Sequence, residues 1–153
     1  MTEQRNRTSL PMVRPVREGD QSSWCEMCAL FYRDAVPDRA EAVRDQVSDG
    51  NASTGSLVAE DAPSNLLGFA NYILHPKLRL GKQVVYLEDL FVREQSRGEG
   101  VGFALISHLV ALAEENGWAR VYWHTRPGNV AAQRLYNRFS DPDDAIRYVI
   151  AVG

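Results

Sequence analysis

Apolar residues change their spacing several times along the chain, and each change marks an element. Met12 to Arg17 has the short extended pattern of a first strand. From Asp20 onward, Trp24, Met27, Cys28 and Phe31 recur at i, i+3, i+4 and i+7, the stripe of a helix running to about Tyr32. Asp38 with Glu41 makes a capping-box-like start for a second helix, whose Ala40, Val43 and Val47 form a narrow stripe ending at Gly50. After the polar loop Asn51 to Gly55, the runs Ser56 to Glu60 and Leu66 to Leu74 flank Asp61-Ala62-Pro63-Ser64-Asn65 and predict a hairpin. The loop Pro76 to Lys82 leads to Val84 to Val92, a strand dense in β-branched and aromatic residues.

Gly100 to Asn116 has the strongest helical period. Val101, Ala104, Leu105, Leu109 and Leu112 share one face, Phe103, Ile106 and Val110 widen it, and Gly117 is placed to end it. A strand Arg120 to Thr125, a short helix Val130 to Phe139 and a terminal strand Ile146 to Val152 complete the order. The succession β-α-α-β-β-β-α-β-α-β predicts an α/β fold with helices packed on a single mixed central sheet. No internal repeat or interdomain linker interrupts it, so residues 1–10 are expected to be a mobile leader and 11–153 one domain.

Composition narrows the classes. At 153 residues, 44% hydrophobic and 24% charged, the chain is long enough for one well-filled core and too apolar for disorder. A net charge of -3 argues against sequence-independent binding of nucleic acid and is compatible with a cationic amine. No apolar run reaches the roughly 20 residues that cross a bilayer, and the first ten residues are polar, so a cytoplasmic protein without a membrane partner is expected. Cys25 and Cys28 sit inside the first helical stripe rather than at a helix start after a strand, which makes them packed thiols instead of a redox pair. Two cysteines and the scattered His75, His108 and His124 form no ligand cluster, so no metal is expected.

The turn between the central strand and the long helix carries the chemistry. Arg97, Gly98, Glu99, Gly100, Val101 and Gly102 supply a backbone with few bulky side chains, and from Phe103 the chain is helical. N–H groups at such a helix start point outward and, with the helix dipole, suit a pyrophosphate; Arg97 adds a cation. Gly-Lys-Ser/Thr is missing, so a triphosphate loop does not fit, and Gly98-x-Gly100-x-Gly102 lacks the G-x-G-x-x-G spacing of dinucleotide sites.

Arg97-x-x-Gly100-x-Gly102 after a strand resembles the acyl-coenzyme A signature of the GNAT superfamily of N-acetyltransferases, and Asn129-Val130-Ala131-Ala132-Gln133-Arg134-Leu135-Tyr136 is similar to its N-x-x-A-x-x-L-Y helix. Tyr86-Leu87-Glu88-Asp89 and Tyr122-Trp123-His124-Thr125 are nearest in look to the histone and polyamine (diamine) branch. One departure stands out: Asp144-Ala145, within SDPDDAIRY, replaces the usual Gly-Phe pair before the last strand.

The resemblance implies the GNAT fold, acetyl-coenzyme A as acyl donor, and direct attack by a primary amine in a ternary complex. The acceptor would be a small polyamine or diamine, or a lysine-type amine. Leu90, Phe91 and Val92 would hold the pantetheine arm, with Leu90 as oxyanion donor, while Arg97 to Phe103 and Asn129 would hold the rest of the coenzyme. Tyr136 would contact the coenzyme and protonate the leaving thiolate, and Asn129 would serve as helix cap, coenzyme contact or both. Glu88 would act on the amine through ordered water with burial raising its pKa, or hold and select the cation. Strict strand alternation places Asp89 on the opposite face, in a structural role. Trp123, with Trp24, Phe31 and Tyr32, is a candidate wall of the acceptor pocket, with core packing the alternative and the expected role for most aromatics. Dimerisation, common in the superfamily, would suit an exposed terminal strand. A coenzyme-binding sensor without turnover, and a protein lysine or N-terminal acetyltransferase, are the alternatives.

Overall fold

The computed structural model describes residues 10–33 and 53–153. They fall into two compact units that divide between Trp123 and His124. The second predicted helix, Asp38 to Gly50, and residues 1–9 of the expected leader lie outside the described residues.

In the first unit, β1 (Met12–Pro15) leads through a 3-10 turn, Glu18–Asp20, into α1 (Gln21–Phe31). Strands β2 (Thr54–Ala62), β3 (Asn65–Lys77) and β4 (Lys82–Val92) follow, then α2 (Val101–Glu115) and β5 (Val121–Tyr122). The sheet runs β1-β2-β3-β4-β5, antiparallel throughout except for the parallel β4–β5 pair. The β2–β3 hairpin is longer than its apolar pattern, because Thr54↔Ile73 and Ala62↔Asn65 extend the ladder beyond the buried stretch.

The sheet is covered on both faces. On one, Trp24, Met27 and Cys28 of α1 pack with Val58, Leu66 and Phe69, and Trp24 donates from Nε1 to Ser56 Oγ at 3.0 Å. Trp24 is therefore core, not pocket wall, since its indole N–H finds its partner inside. On the other face lies α2, where Val101, Leu105, Ile106 and Leu109 are buried, as a wide apolar stripe requires. Gly68 makes the contact close: a Cβ there would strike the Phe91 carbonyl oxygen and sit 3.3 Å from Val101 Cγ1.

The junction of β1 with α1 is held by charge. Arg14, 8% exposed, donates to both carboxylate oxygens of Asp20 at 2.6 and 2.8 Å and to both of Glu60 at 3.1 and 3.0 Å. These hydrogen bonds hold the Asp20 and Glu60 carboxyls below their usual range.

In the second unit, α3 (Val130–Tyr136) begins at Asn129, whose side chain accepts from the Ala132 N–H at 3.2 Å, a helix cap. The terminal strand predicted over Ile146 to Val152 does not form: Tyr148, Ile150 and Val152 are 89%, 87% and 86% exposed. β-branched and aromatic residues favour a strand only where an edge offers hydrogen bonds, and among the described residues these pair with none. The predicted strand Arg120 to Thr125 likewise contracts to Val121 and Tyr122, the two residues that β4 pairs.

Candidate active site

The site is organised by β4, which slips register once against β3 and loses β5 partway along. From Lys82 to Leu87 it pairs regularly with β3, but Tyr72 opposes Leu87 and Asn71 opposes Asp89, so Glu88 is the extra residue of a β-bulge. On the other side, pairing with β5 covers only Val85↔Val121 and Tyr86↔Tyr122. Beyond Tyr86, β4 keeps β3 on one edge and, among the described residues, has no strand on the other. The backbone of Leu90, Phe91 and Val92 lies in that open stretch, where an extended ligand can complete the ladder.

The bulge corrects the alternation argument. Paired residues of antiparallel strands share a face, so Asp89 joins Asn71, and Tyr86 joins Ile73; Asn71 and Ile73, two apart on β3, share one face. Asp89 therefore stands on the face of Tyr86 rather than opposite it. Glu88, which has no partner in the register, acts electrostatically on Tyr122, Tyr86's pairing partner. Glu88 is exposed, so the burial expected to prepare it is not present.

Behind the bulge, Asp89 Oδ2 accepts from the Tyr32 hydroxyl at the end of α1 and from Asn71 Nδ2 at 3.1 Å. Burial, reinforced by the Asp89 charge, pushes the Tyr32 phenol well above its usual range. Phe91 stacks on Phe69, ring centroids 5.6 Å apart, and meets Phe31 edge-on at 6.0 Å. Tyr32 and Phe31 thus brace the bulged strand.

After β4 the chain passes through a 3-10 turn, Glu94–Ser96, into the glycine turn. Gly98 and Gly100 have φ of 78° and 84°, left-handed conformations that cost other residues about 1–2 kcal/mol. The first helical bond of α2 runs from the Ala104 N–H to Gly100 O at 2.9 Å, which leaves the Val101 and Gly102 N–H groups ahead of the ladder. Arg97, Gly98 and Glu99 are exposed, and Arg97 Nε donates back to Val92 O at 3.3 Å, next to the open stretch. Nothing lies within 4 Å of where a Gly98 Cβ would be. A helix start with unbonded N–H groups behind an exposed Arg97-Gly98-Glu99 turn suits a pyrophosphate, and the open edge of β4 fits the amide-bearing arm of an acyl carrier.

A neighbouring pocket of about 490 Å³ is lined by Glu26, Asp61, Arg93, Ser96 and Glu99 among others. Three carboxylates against one guanidinium, itself bonded to Glu26 at 2.9 Å, suit a phosphate less well than the N–H face of the turn.

At the mouth of the splay, His75 Nε2 lies 2.6 Å from the Tyr122 hydroxyl, and the Tyr86 and Tyr122 rings are 5.0 Å apart. Sequence reasoning missed the Glu88 bulge, Asn71 and this His75–Tyr122 pair, because each depends on strand register. A β-bulge has no composition signal, although Tyr86-Leu87-Glu88-Asp89, apolar and then doubly acidic, does break the alternation expected of a strand. The second unit holds Asn129 and Tyr136 on α3, as the motif spacing requires, and burial pushes the Tyr136 phenol above its usual range.

Among the described residues, no group of His, Cys, Asp or Glu could hold a metal ion and no helix is long and apolar enough to cross a membrane. The sequence profile described as the acetyltransferase (GNAT) family matches residues 22–140. The chain is 36% identical over 94 residues to the D-amino-acid N-acetyltransferase HPA3 of Saccharomyces cerevisiae, a match covering 61% of this chain and 58% of that protein's length. It is 31% identical over 116 residues to the aminoglycoside N(6')-acetyltransferase type 1 of Klebsiella aerogenes, covering 73% and 72%. The solved structure of AAC(6')-Iy in complex with the bisubstrate analog CoA-S-monomethyl-acetylneamine superposes with a TM-score of 0.78 at 20% identity, over 94% of this chain and 100% of that one. The chain belongs to the acetyltransferase (GNAT) family, whose enzymes take their acyl group from acetyl-coenzyme A.

Proposed function

We propose that this N-acetyltransferase acts on a small amine carrying more than one positive charge, of the diamine or polyamine kind, by direct attack in a ternary complex. The observation that supports it most is the Glu88 bulge beside the open edge of β4, with Asp89 on the same face as Tyr86. Two carboxylates at the point where β4 loses its partner would draw an ammonium to that point, and water excluded by a bound ligand would strengthen the attraction.

Acetyl-coenzyme A, when bound, supplies the activated thioester. Val101 and Gly102 N–H groups, with Arg97, are the proposed partners of its phosphates, together with Gly98, Glu99, Gly100, Phe103 and Asn129 as lining. Leu90, Phe91 and Val92 offer backbone groups to the pantetheine arm, and the Leu90 N–H is the proposed donor to the carbonyl oxygen, where negative charge develops. Glu88 holds the acceptor cation beside it, with Trp123 as a candidate wall. Tyr136 enters from its motif: a phenol kept protonated is suited to give a proton to the departing sulfur. A cytoplasmic homodimer with residues 11–153 acting as one domain completes the reading.

Thiol release from acetyl-coenzyme A against diamines, polyamines, aminoglycosides, D-amino acids and lysine peptides tests it. Turnover that is fastest with diamines and polyamines supports the assignment; a preference for monoamines or peptides refutes the dicationic acceptor.

A further inference from the structure

We propose that Tyr122 and His75 form the path by which the acceptor ammonium loses its proton, Tyr122 touching the amine and His75 storing the proton behind it. The inference rests on the acetyl-transfer reading above and assigns a task that reading leaves open. An alkyl ammonium ionises near 10.4 and a carboxylate near 4.3, so a carboxylate base works against about six units, whereas an imidazole, near 6.5, works against about four.

Geometry fixes the direction of the hydrogen bonds. His75 Nδ1 lies 3.2 Å from the Pro76 carbonyl oxygen, which can only accept, so Nδ1 carries the hydrogen. In the neutral ring Nε2 is then the acceptor, and the Tyr122 hydroxyl 2.6 Å away donates to it. A phenol oxygen that donates one hydrogen bond can accept others, so Tyr122 can receive a proton from one side while it releases one to the other.

The position suits that task. Tyr122 pairs with Tyr86 at the last rung before β4 and β5 part, two residues before the bulged Glu88. By register His75, paired with Val84, shares the face of Tyr86 and Tyr122, and the His75 and Tyr122 rings meet edge-on with centroids 5.7 Å apart. His75 is half-buried, open enough to return a proton to water.

The step balances. An ammonium N–H bond breaks and an O–H bond forms on Tyr122; the original Tyr122 O–H bond breaks and an N–H bond forms on His75 Nε2. The products are a neutral amine, able to attack, and an imidazolium; solvent later removes the proton. Among the described residues the charged and titratable groups on this face are Lys77 of β3, Lys82, Tyr86 and Asp89 of β4, Tyr122 of β5 and, bonded to Asp89 from the end of α1, Tyr32, with Glu88 and Arg120 acting electrostatically on Tyr122. Glu88 and Asp89 favour a cation near Tyr122, while the two lysines and Arg120 oppose one.

His75→Gln is the discriminating variant, because a Gln carbonyl can accept the Tyr122 hydrogen bond but does not take up the proton. The measurement is kcat/KM against pH by thiol release, with thermal midpoint and acetyl-coenzyme A affinity as controls. We expect His75→Gln and Tyr122→Phe each to lose about 100-fold in kcat/KM at neutral pH, with coenzyme affinity unchanged. The acid limb of the wild-type profile disappears in His75→Gln. In His75→Ala, added imidazole restores turnover. A His75→Gln enzyme with the wild-type rate and profile, or a His75→Ala enzyme that imidazole does not restore, overturns the relay alone. Absence of thiol release by the wild type with every amine overturns the transferase reading and the relay with it.

Discussion

Replacing Gly68 with Ala puts one methyl group between β3 and the end of β4. It would collide with the Phe91 carbonyl oxygen, sit 3.2 Å from Val92 Cα and press on Val101 Cγ1 at 3.3 Å. Two of these neighbours are backbone and the third begins α2, so no flexible side chain can swing away. Relief needs the strands to part by on the order of 1 Å, where Phe91 is already stacked on Phe69. Overpacking of this kind costs about 1–3 kcal/mol, which lowers the thermal midpoint of a domain this size by about 3–9 °C. The same shift moves the backbone proposed to bind the pantetheine arm. Loss of two hydrogen bonds there, about 1–3 kcal/mol together, weakens acetyl-coenzyme A binding about 5- to 150-fold. Thermal unfolding and calorimetric titration measure the two effects. Gly19→Ala is the control, because an added Cβ there meets nothing within 4 Å. A Gly68→Ala protein with wild-type midpoint and wild-type affinity would refute both the close approach and the role of this backbone.

Tyr136→Phe is expected to lower turnover by about 100-fold with coenzyme affinity unchanged, since only the proton donor is lost; equal kcat in a thiol-release assay would remove Tyr136 from the reaction. Arg14→Met leaves Asp20, only 6% exposed, without its partner and is expected to cost about 3–5 kcal/mol in denaturant unfolding. Because Arg14 depresses the Asp20 and Glu60 values, its stabilisation is present above the unfolded carboxylate pKa values, about 3.9–4.3, and lost as pH falls below them. The wild type should therefore lose more stability between neutral and acid pH than Arg14→Met, and parallel pH profiles would contradict the network. Burial first, then Cys25 and Asp89, push the Cys28 thiol up to about 12, so iodoacetamide at pH 8 should leave Cys28 unlabelled in the folded protein. Labelling at the rate of a free thiol, read by mass spectrometry, would disprove that.

The parts of the site that depend on local sequence were legible. A helix opening at the glycine turn, its end at the left-handed Gly117 and the Asn129 cap of α3 each follow from residues adjacent in the chain. The terminal strand misled because Ile146 to Val152 carries strand-forming side chains, while strand formation needs a second strand that these residues do not find among the described ones. Glu88 was legible as a residue but not in its setting, since period-2 reasoning assumes a ladder without slips. Trp24 shows the same limit, because a helix stripe tells which residues point inward but not that Ser56 waits for the indole N–H.

By itself, then, the sequence determined the first helix, the hairpin, the central strand, the long helix after the glycine turn and the short helix that Asn129 caps and Tyr136 ends. These are consequences of backbone sterics and side-chain period, which act over a few residues. Only the tertiary structure decided that β4 slips at Glu88, that β5 leaves it after Tyr86, that Asp89 shares the face of Tyr86, and that His75 meets Tyr122. Each of those sets residues far apart in the chain against one another. Cross-strand register, fixed by how both faces of the sheet pack rather than by any local preference, is what brings them together.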